Sequence, residues 1–187
     1  MNNPVGAGHA REKASDIARD LLSSPSRPWG APTQKGKPGH AALRRGRVSI
    51  PNQIYLVTTT TLRRQPAFAH FNAARAAAQS FEDRAVLADA RLLAWVLMPD
   101  HFHGLLELGE NNNLQGIMNR LKSASARRAN KALGREGPLW DKAYHDHALR
   151  QEEDLLATAR YIIANPLRAG LVQHVGDYPF WNAIWLP

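Results

Sequence analysis

A chain of 187 residues without a single cysteine is sized for one domain with a real core, and it excludes disulfide scaffolds, thiolate zinc sites and cysteine nucleophiles. Its formal net charge of +8 favours a polyanionic partner. No apolar run approaches the ~20 residues of a membrane span, and the N-terminus lacks the apolar core of a signal peptide, so a soluble, cytoplasmic protein is expected.

The charge is unevenly placed. Residues 1–47 hold nine Lys/Arg against three Asp/Glu, a net of +6, which leaves 15 against 13, or +2, for residues 48–187. Gly, Pro, Ser and Ala dominate the remainder of 1–47, a composition that cannot bury enough apolar surface to offset the entropy of ordering it. This segment is expected to be a basic, largely disordered arm with a short helix over Ser15–Leu22. The ordered domain is expected to span 48–187.

Beyond Pro51, the β-branched and aromatic run Ile54–Thr61 predicts a strand. Pro66 then opens an Ala-rich helix over Ala67–Ala88, with Phe68, Phe71, Ala74 and Ala78 toward the core. Arg91–Met98 and His101–Leu108 predict two strands joined by a tight turn at Pro99-Asp100. A basic helix follows over Asn113–Leu133 and ends at Gly134. Trp140–Leu149 predicts a fourth strand, and Gln151–Asn165 a helix stopped by Pro166. The order strand, helix, strand, strand, helix, strand predicts an α+β fold with a ferredoxin-like antiparallel sheet (βαββαβ), followed by an added C-terminal helix carrying Tyr161.

Two short patterns carry chemistry on this scaffold. In a strand, residues i and i+2 share a face, so His101 and His103 converge while Phe102 enters the buried side. On a helix, residues i and i+4 share a face, so Tyr161 sits beside Asn165, whose amide oxygen can complete the shell of a hard divalent ion. Two imidazoles, an oxygen ligand and a phenol are what metal-assisted phosphodiester cleavage needs. Between Asn111 and Arg135 the chain has six Lys/Arg and no acid. Arg120, Arg127, Arg128, Lys131 and Arg135 project to one side of that helix, a stripe suited to phosphate contact or simply to a solvated face.

At this point Leu97-Met98-Pro99-Asp100-His101-Phe102-His103 resembles the His-hydrophobic-His motif of the single-tyrosine, HUH-type transposases. Trp140–His147 and Arg160–Val172, with Asn165 where other single-tyrosine transposases often have Gln, resemble the REP-associated branch. The resemblance covers roughly residues 45–187 and leaves the arm outside. It implies a metal-dependent single-strand DNA endonuclease and strand transferase acting on short imperfect palindromes folded as hairpins. Tyr161 would attack the scissile phosphate to form a 5′-phosphotyrosine and release a 3′-hydroxyl. His101, His103 and Asn165 would hold the metal, and mixed imidazole and amide ligation suits Mg²⁺ or Mn²⁺. The implied partner is single-stranded or hairpin DNA, with no nucleotide cofactor. Such a protein works as a monomer or homodimer and is nucleoid-associated when bound to DNA.

Rival assignments exist for several residues. His145-Asp146-His147 repeats the i, i+2 spacing, but its middle residue is acidic, so His145 and His147 are expected to support the site or face DNA. Tyr144 is the rival nucleophile, but it has no counterpart of the Asn165 that lies one turn along from Tyr161. Glu107 shares the face of His101 and His103, as a tuning group or as an exposed rim residue. Trp140, Trp181 and Trp185 either seal the core or stack on bases. Two other functional classes fit the same scaffold: a catalytically silent DNA-hairpin-binding protein, and a metal-dependent phosphoesterase acting through activated water.

Overall fold

Alternation in the first β-branched run sets the frame of the molecule. In β1 (Ile54–Thr60), Tyr55, Val57 and Thr59 are buried on one side, while Leu56, Thr58 and Thr60 lie half-buried on the other. The computed structural model describes residues 49–149 and 152–185. The basic arm at 1–47, with its expected helix over Ser15–Leu22, lies outside the described residues.

The Ala-rich segment is divided, where one helix was predicted. A short 3-10 turn at Ala67–Ala69 leads into α1 (Phe71–Ala78), and α2 (Arg84–Leu87) follows separately. The break is set by Phe81, which turns inward to meet Trp95 and Phe102 at centroid distances of 5.2 and 4.5 Å. Asp83 then caps α2 by accepting a hydrogen bond from the Ala85 amide. Phe68 and Ala74 are in the core as expected, but Phe71 is 56% exposed and leans on Phe180.

Strands β2 (Arg91–Met98) and β3 (His101–Glu107) form the expected hairpin around Pro99-Asp100. α3 (Leu114–Ala132) begins at the Asn113 side-chain cap and buries Leu114, Met118 and Leu121. Its end is marked by Gly134 at φ +60°, a conformation that glycine adopts without strain. The fourth strand is shorter than predicted. β4 covers only His145–Ala148, and Trp140 makes an isolated bridge to Thr61. The reason lies in α3: the Lys122 ammonium donates to the carbonyls of Asp141, Lys142 and Ala143 at 2.5, 3.1 and 3.4 Å, so they do not join a ladder. Trp140 is buried against Phe68 and donates to Ser125 Oγ, so it seals the core.

α4 (Glu152–Ile163) packs on β2 and β3, and Pro166 does not simply stop it. Proline needs no amide partner in a first helical turn, so it opens α5 (Asn165–Arg168) instead. The last strand, β5 (Trp181–Ala183), was not predicted; it pairs with β2. Among the described residues the five strands run in the order β4-β1-β3-β2-β5, antiparallel throughout. The first four reproduce the ferredoxin-like arrangement, and β5 widens it by one edge. Phe102, Gly104 and Leu106 face the side covered by α1 and α3, whereas His101, His103 and Leu105 face α4. Among the described residues, no helix is long and apolar enough to cross a membrane.

Candidate active site

The two histidines of β3 stand side by side, their ring centroids 4.8 Å apart and their planes nearly perpendicular at 89°. Each is held by its Nδ1. His101 Nδ1 is 2.6 Å from Asp100 Oδ1, and His103 Nδ1 is 2.8 Å from Thr58 Oγ1, on the residue directly opposite it in β1. Both Nε2 atoms are therefore oriented by a partner on the other ring nitrogen, the arrangement of metal-binding imidazoles. Burial pushes the His103 pKa down to about 3, helped by the charges of His101, Arg168 and Arg64. Its imidazole is neutral at any working pH, with a lone pair to offer.

Asp100 is itself supported. Burial opposes its ionisation, but hydrogen bonds from His101 and Arg64 outweigh that and hold its carboxyl below the usual carboxylate range. Arg64 reaches it at 3.1 Å. Thr60, opposite His101, donates to Asp141 Oδ2 at 3.2 Å and brings that carboxylate to the same end of the sheet. Asp100 and Thr58 do not stand out in the sequence as site residues. Asp100 has a local signal, since it adjoins the first histidine; Thr58 depends on cross-strand register, which no local pattern reveals.

Tyr161 and Asn165 do not share one helix as expected, because α4 ends at Ile163 and Asn165 begins α5. They are nonetheless joined. The Arg168 guanidinium carbon lies 3.8 Å from the Tyr161 ring centroid, and its NH2 donates to Asn165 Oδ1 at 2.6 Å. Asn165 Nδ2 donates to the Ile162 carbonyl at 3.0 Å. Among the described residues no cluster of three or more His, Cys, Asp or Glu can hold a metal. The two imidazoles can offer two nitrogen donors to a divalent ion, and among the described residues no third His, Cys, Asp or Glu joins them. Asn165 has an amide oxygen of the right chemistry, already engaged by Arg168.

His145 and His147 pair opposite Thr58 and Leu56, which puts them on the His103 face, both exposed. Among the described residues, His145 and His147 do not join His101 and His103 in a group of three or more that could hold a metal. Tyr144 is buried. Glu107 shares the face but lies four residues along β3 from His103, roughly 13 Å, and pairs with Arg91 at 2.8 Å. Trp181 lies opposite Val96 on the histidine face and donates its indole N–H to the Val175 carbonyl.

The basic stripe sits on α3, across the sheet from the histidines, and most of it is engaged within the protein. Arg120 donates to the Val86 carbonyl and Asn112, Arg128 to Asp83 at 2.6 Å and Ser80 at 3.2 Å, and Arg135 to the Pro138 carbonyl. The Arg128 hydrogen bond is the main reason that the Asp83 carboxyl titrates below its usual range. Arg127 and Lys131 are both exposed. Arg127 lines a groove of about 470 Å³ with Arg120, Asn119 and Ser123.

Residues 49–165 match the model of a family described as transposase IS200 like. A protein of Haemophilus influenzae named as a putative REP-associated tyrosine transposase is 31% identical over 98 residues, which are 47% of this chain and 56% of that one. The REP-associated tyrosine transposase of Escherichia coli K12 is 30% identical over 87 residues, 46% of this chain and 50% of that one. The chain thus spans about half the length of the curated relatives it matches. A solved structure of a REP-associated tyrosine transposase bound to a REP hairpin is 25% identical, with a TM-score of 0.56 over 72% of this chain and 79% of that one.

Proposed function

The chain belongs to the IS200-like transposase family, and on that footing we propose that it is a metal-dependent single-strand DNA endonuclease and strand transferase acting on REP-type palindromic hairpins. The observation that carries this reading is the histidine pair, with each Nδ1 tied to a neighbouring side chain and each Nε2 left for a ligand. The solved relative bound to a REP hairpin supports the choice of DNA.

In the proposed reaction the Tyr161 oxygen attacks the scissile phosphorus. The phosphorus–O3′ bond breaks, the phenolic proton is lost to solvent while the departing O3′ takes one up from solvent, and a 5′-phosphotyrosine and a free 3′-hydroxyl remain. The ester formed is close in energy to the ester broken, so a 3′-hydroxyl can reverse the step and rejoin strands without a nucleotide cofactor. His101, His103 and Asn165 are the proposed ligands of Mg²⁺ or Mn²⁺, which when bound polarises the phosphate and offsets the developing charge. Asp100 and Thr58 keep the imidazoles aimed. Asn165 must give up its bond to Arg168, or share its second lone pair, to take its part.

The arm at 1–47 is proposed to supply diffuse attraction to DNA in the cytoplasm, so deleting residues 1–44 should lower affinity for all DNA alike and flatten its salt dependence. The central test is covalent trapping. Labelled hairpins with a single-stranded flank are incubated with the protein and Mn²⁺, and an adduct stable to SDS is expected from the parent chain and none from Tyr161→Phe. Hairpin binding without any adduct would mark a silent DNA-binding protein. Cleavage that survives Tyr161→Phe would mark a water-activating phosphoesterase.

A further inference from the structure

We propose that Arg168 grips the phosphate that Tyr161 attacks and so holds the single-stranded flank of the DNA in the site. This inference rests on the functional reading above and adds to it a substrate-contacting residue. Arg168 is exposed, and it meets a neutral amide and an aromatic face. No carboxylate among the described residues pairs with it. An arginine kept for the fold alone ordinarily meets a carboxylate or backbone carbonyls, as Arg128 and Arg120 do. Here the charge is left uncompensated beside the proposed nucleophile.

The local backbone explains its position. α5 starts at Asn165 and ends at Arg168, so the two side chains lie three residues apart on one helical turn and meet at 2.6 Å. One guanidinium N–H is used on Asn165, which leaves the rest of a planar fork facing solvent above the Tyr161 ring. A divalent ion held by the histidines and the guanidinium over the phenol would be two cationic centres that repel each other in the absence of DNA. An anionic phosphodiester between them offsets that repulsion, and it lies where the phenol must strike.

The test separates grip from chemistry by measuring binding alone. In the Tyr161→Phe background with EDTA, fluorescence anisotropy compares a hairpin carrying a single-stranded flank with the same hairpin lacking it. Arg168→Ala is expected to weaken binding of the flanked hairpin about tenfold, with the log–log salt slope smaller by roughly 0.7, and to leave the unflanked hairpin unchanged. Arg168→Lys should restore the slope and only part of the affinity, because an ammonium cannot reproduce the fork. Equal losses on both DNAs, or no loss on either, would overturn the proposal. Should Arg168→Ala melt early, Arg168→Met keeps a stem over Tyr161 without the charge, and its affinities are judged by the same comparison. A surviving adduct in Tyr161→Phe would instead sink the parent reading, so the two failures are distinguishable.

Discussion

On the face covered by α1 and α3, two arginines are spent on the fold: Arg128 ties α3 to Asp83 at the start of α2, and Arg120 closes on the Val86 carbonyl. On the face under α4, Arg168 rests on a ring and an amide, while Asp100 and Thr58 hold two imidazoles by one nitrogen each. The two faces carry similar residue types to opposite ends. What separates them is whether a carboxylate or carbonyl lies within reach, since a satisfied cation contributes to stability and an unsatisfied one waits for a ligand.

The sharpest break in this comparison comes from the histidines. Replacing both His101 and His103 by Ala should lower single-turnover adduct formation by about a thousandfold or more, with circular dichroism checking that the sheet is retained. Activity retained within tenfold would remove the metal site from the α4 face. A smaller effect is expected one layer out. Asp100→Asn or Thr58→Val should weaken Mn²⁺ binding by roughly ten- to a hundredfold, as read by calorimetry on the DNA-free protein, and unaltered affinity would mean that the Nδ1 partners do not orient the ligands.

The α3 face should respond the other way round. Arg128→Ala is expected to lower Tm by a few degrees while DNA affinity stays the same. The pair Arg127→Ala with Lys131→Ala should leave Tm alone and reduce the salt slope of DNA binding by about 0.7–0.9 for each phosphate no longer neutralised. If that pair changes neither slope nor affinity, the helix face is only solvated, and hairpin binding belongs to the other side of the sheet.

The least of the effects is a pH dependence. Tyr178 donates to the Leu97 carbonyl on β2, and burial pushes its phenol up to about 12. A folded-state pKa above the unfolded one gives stability that is full below about pH 10 and is lost as pH rises through 12. Tyr178→Phe should therefore be less stable at neutral pH and show a shallower alkaline decline, followed by circular dichroism in alkaline buffers.

Much of this was legible because it is local. His101-Phe102-His103 puts both rings on one face by the period of a strand, and the Pro99-Asp100 turn sets the hairpin that carries them. The basic helix that became α3 and its end at Gly134 followed from helical spacing and the glycine stop. What escaped was non-local. The fate of Arg120 and Arg128 depends on where α2 lands, and the helix break before it depends on Phe81 finding Trp95 and Phe102. β5 is three residues long, too short for a period, and exists because β2 offers an open edge. Arg168 stood in plain view three residues after Asn165, yet its contact with Tyr161 needs the turn that Pro166 introduces.

Lys122 has a consequence at the border of the sheet. By drawing three successive carbonyls onto one ammonium, it withholds the carbonyls of 141–143 from a ladder, although the Asp141 amide still donates to the Thr60 carbonyl, and β4 is a four-residue strand. The opposite border is the three-residue β5. Neither margin is long enough to template another chain, which guards against edge-to-edge polymerisation in a protein whose sheet is otherwise built of seven- and eight-residue strands. Removing that one ammonium would free the carbonyls to extend the margin, trading a tethered loop for a sticky rim.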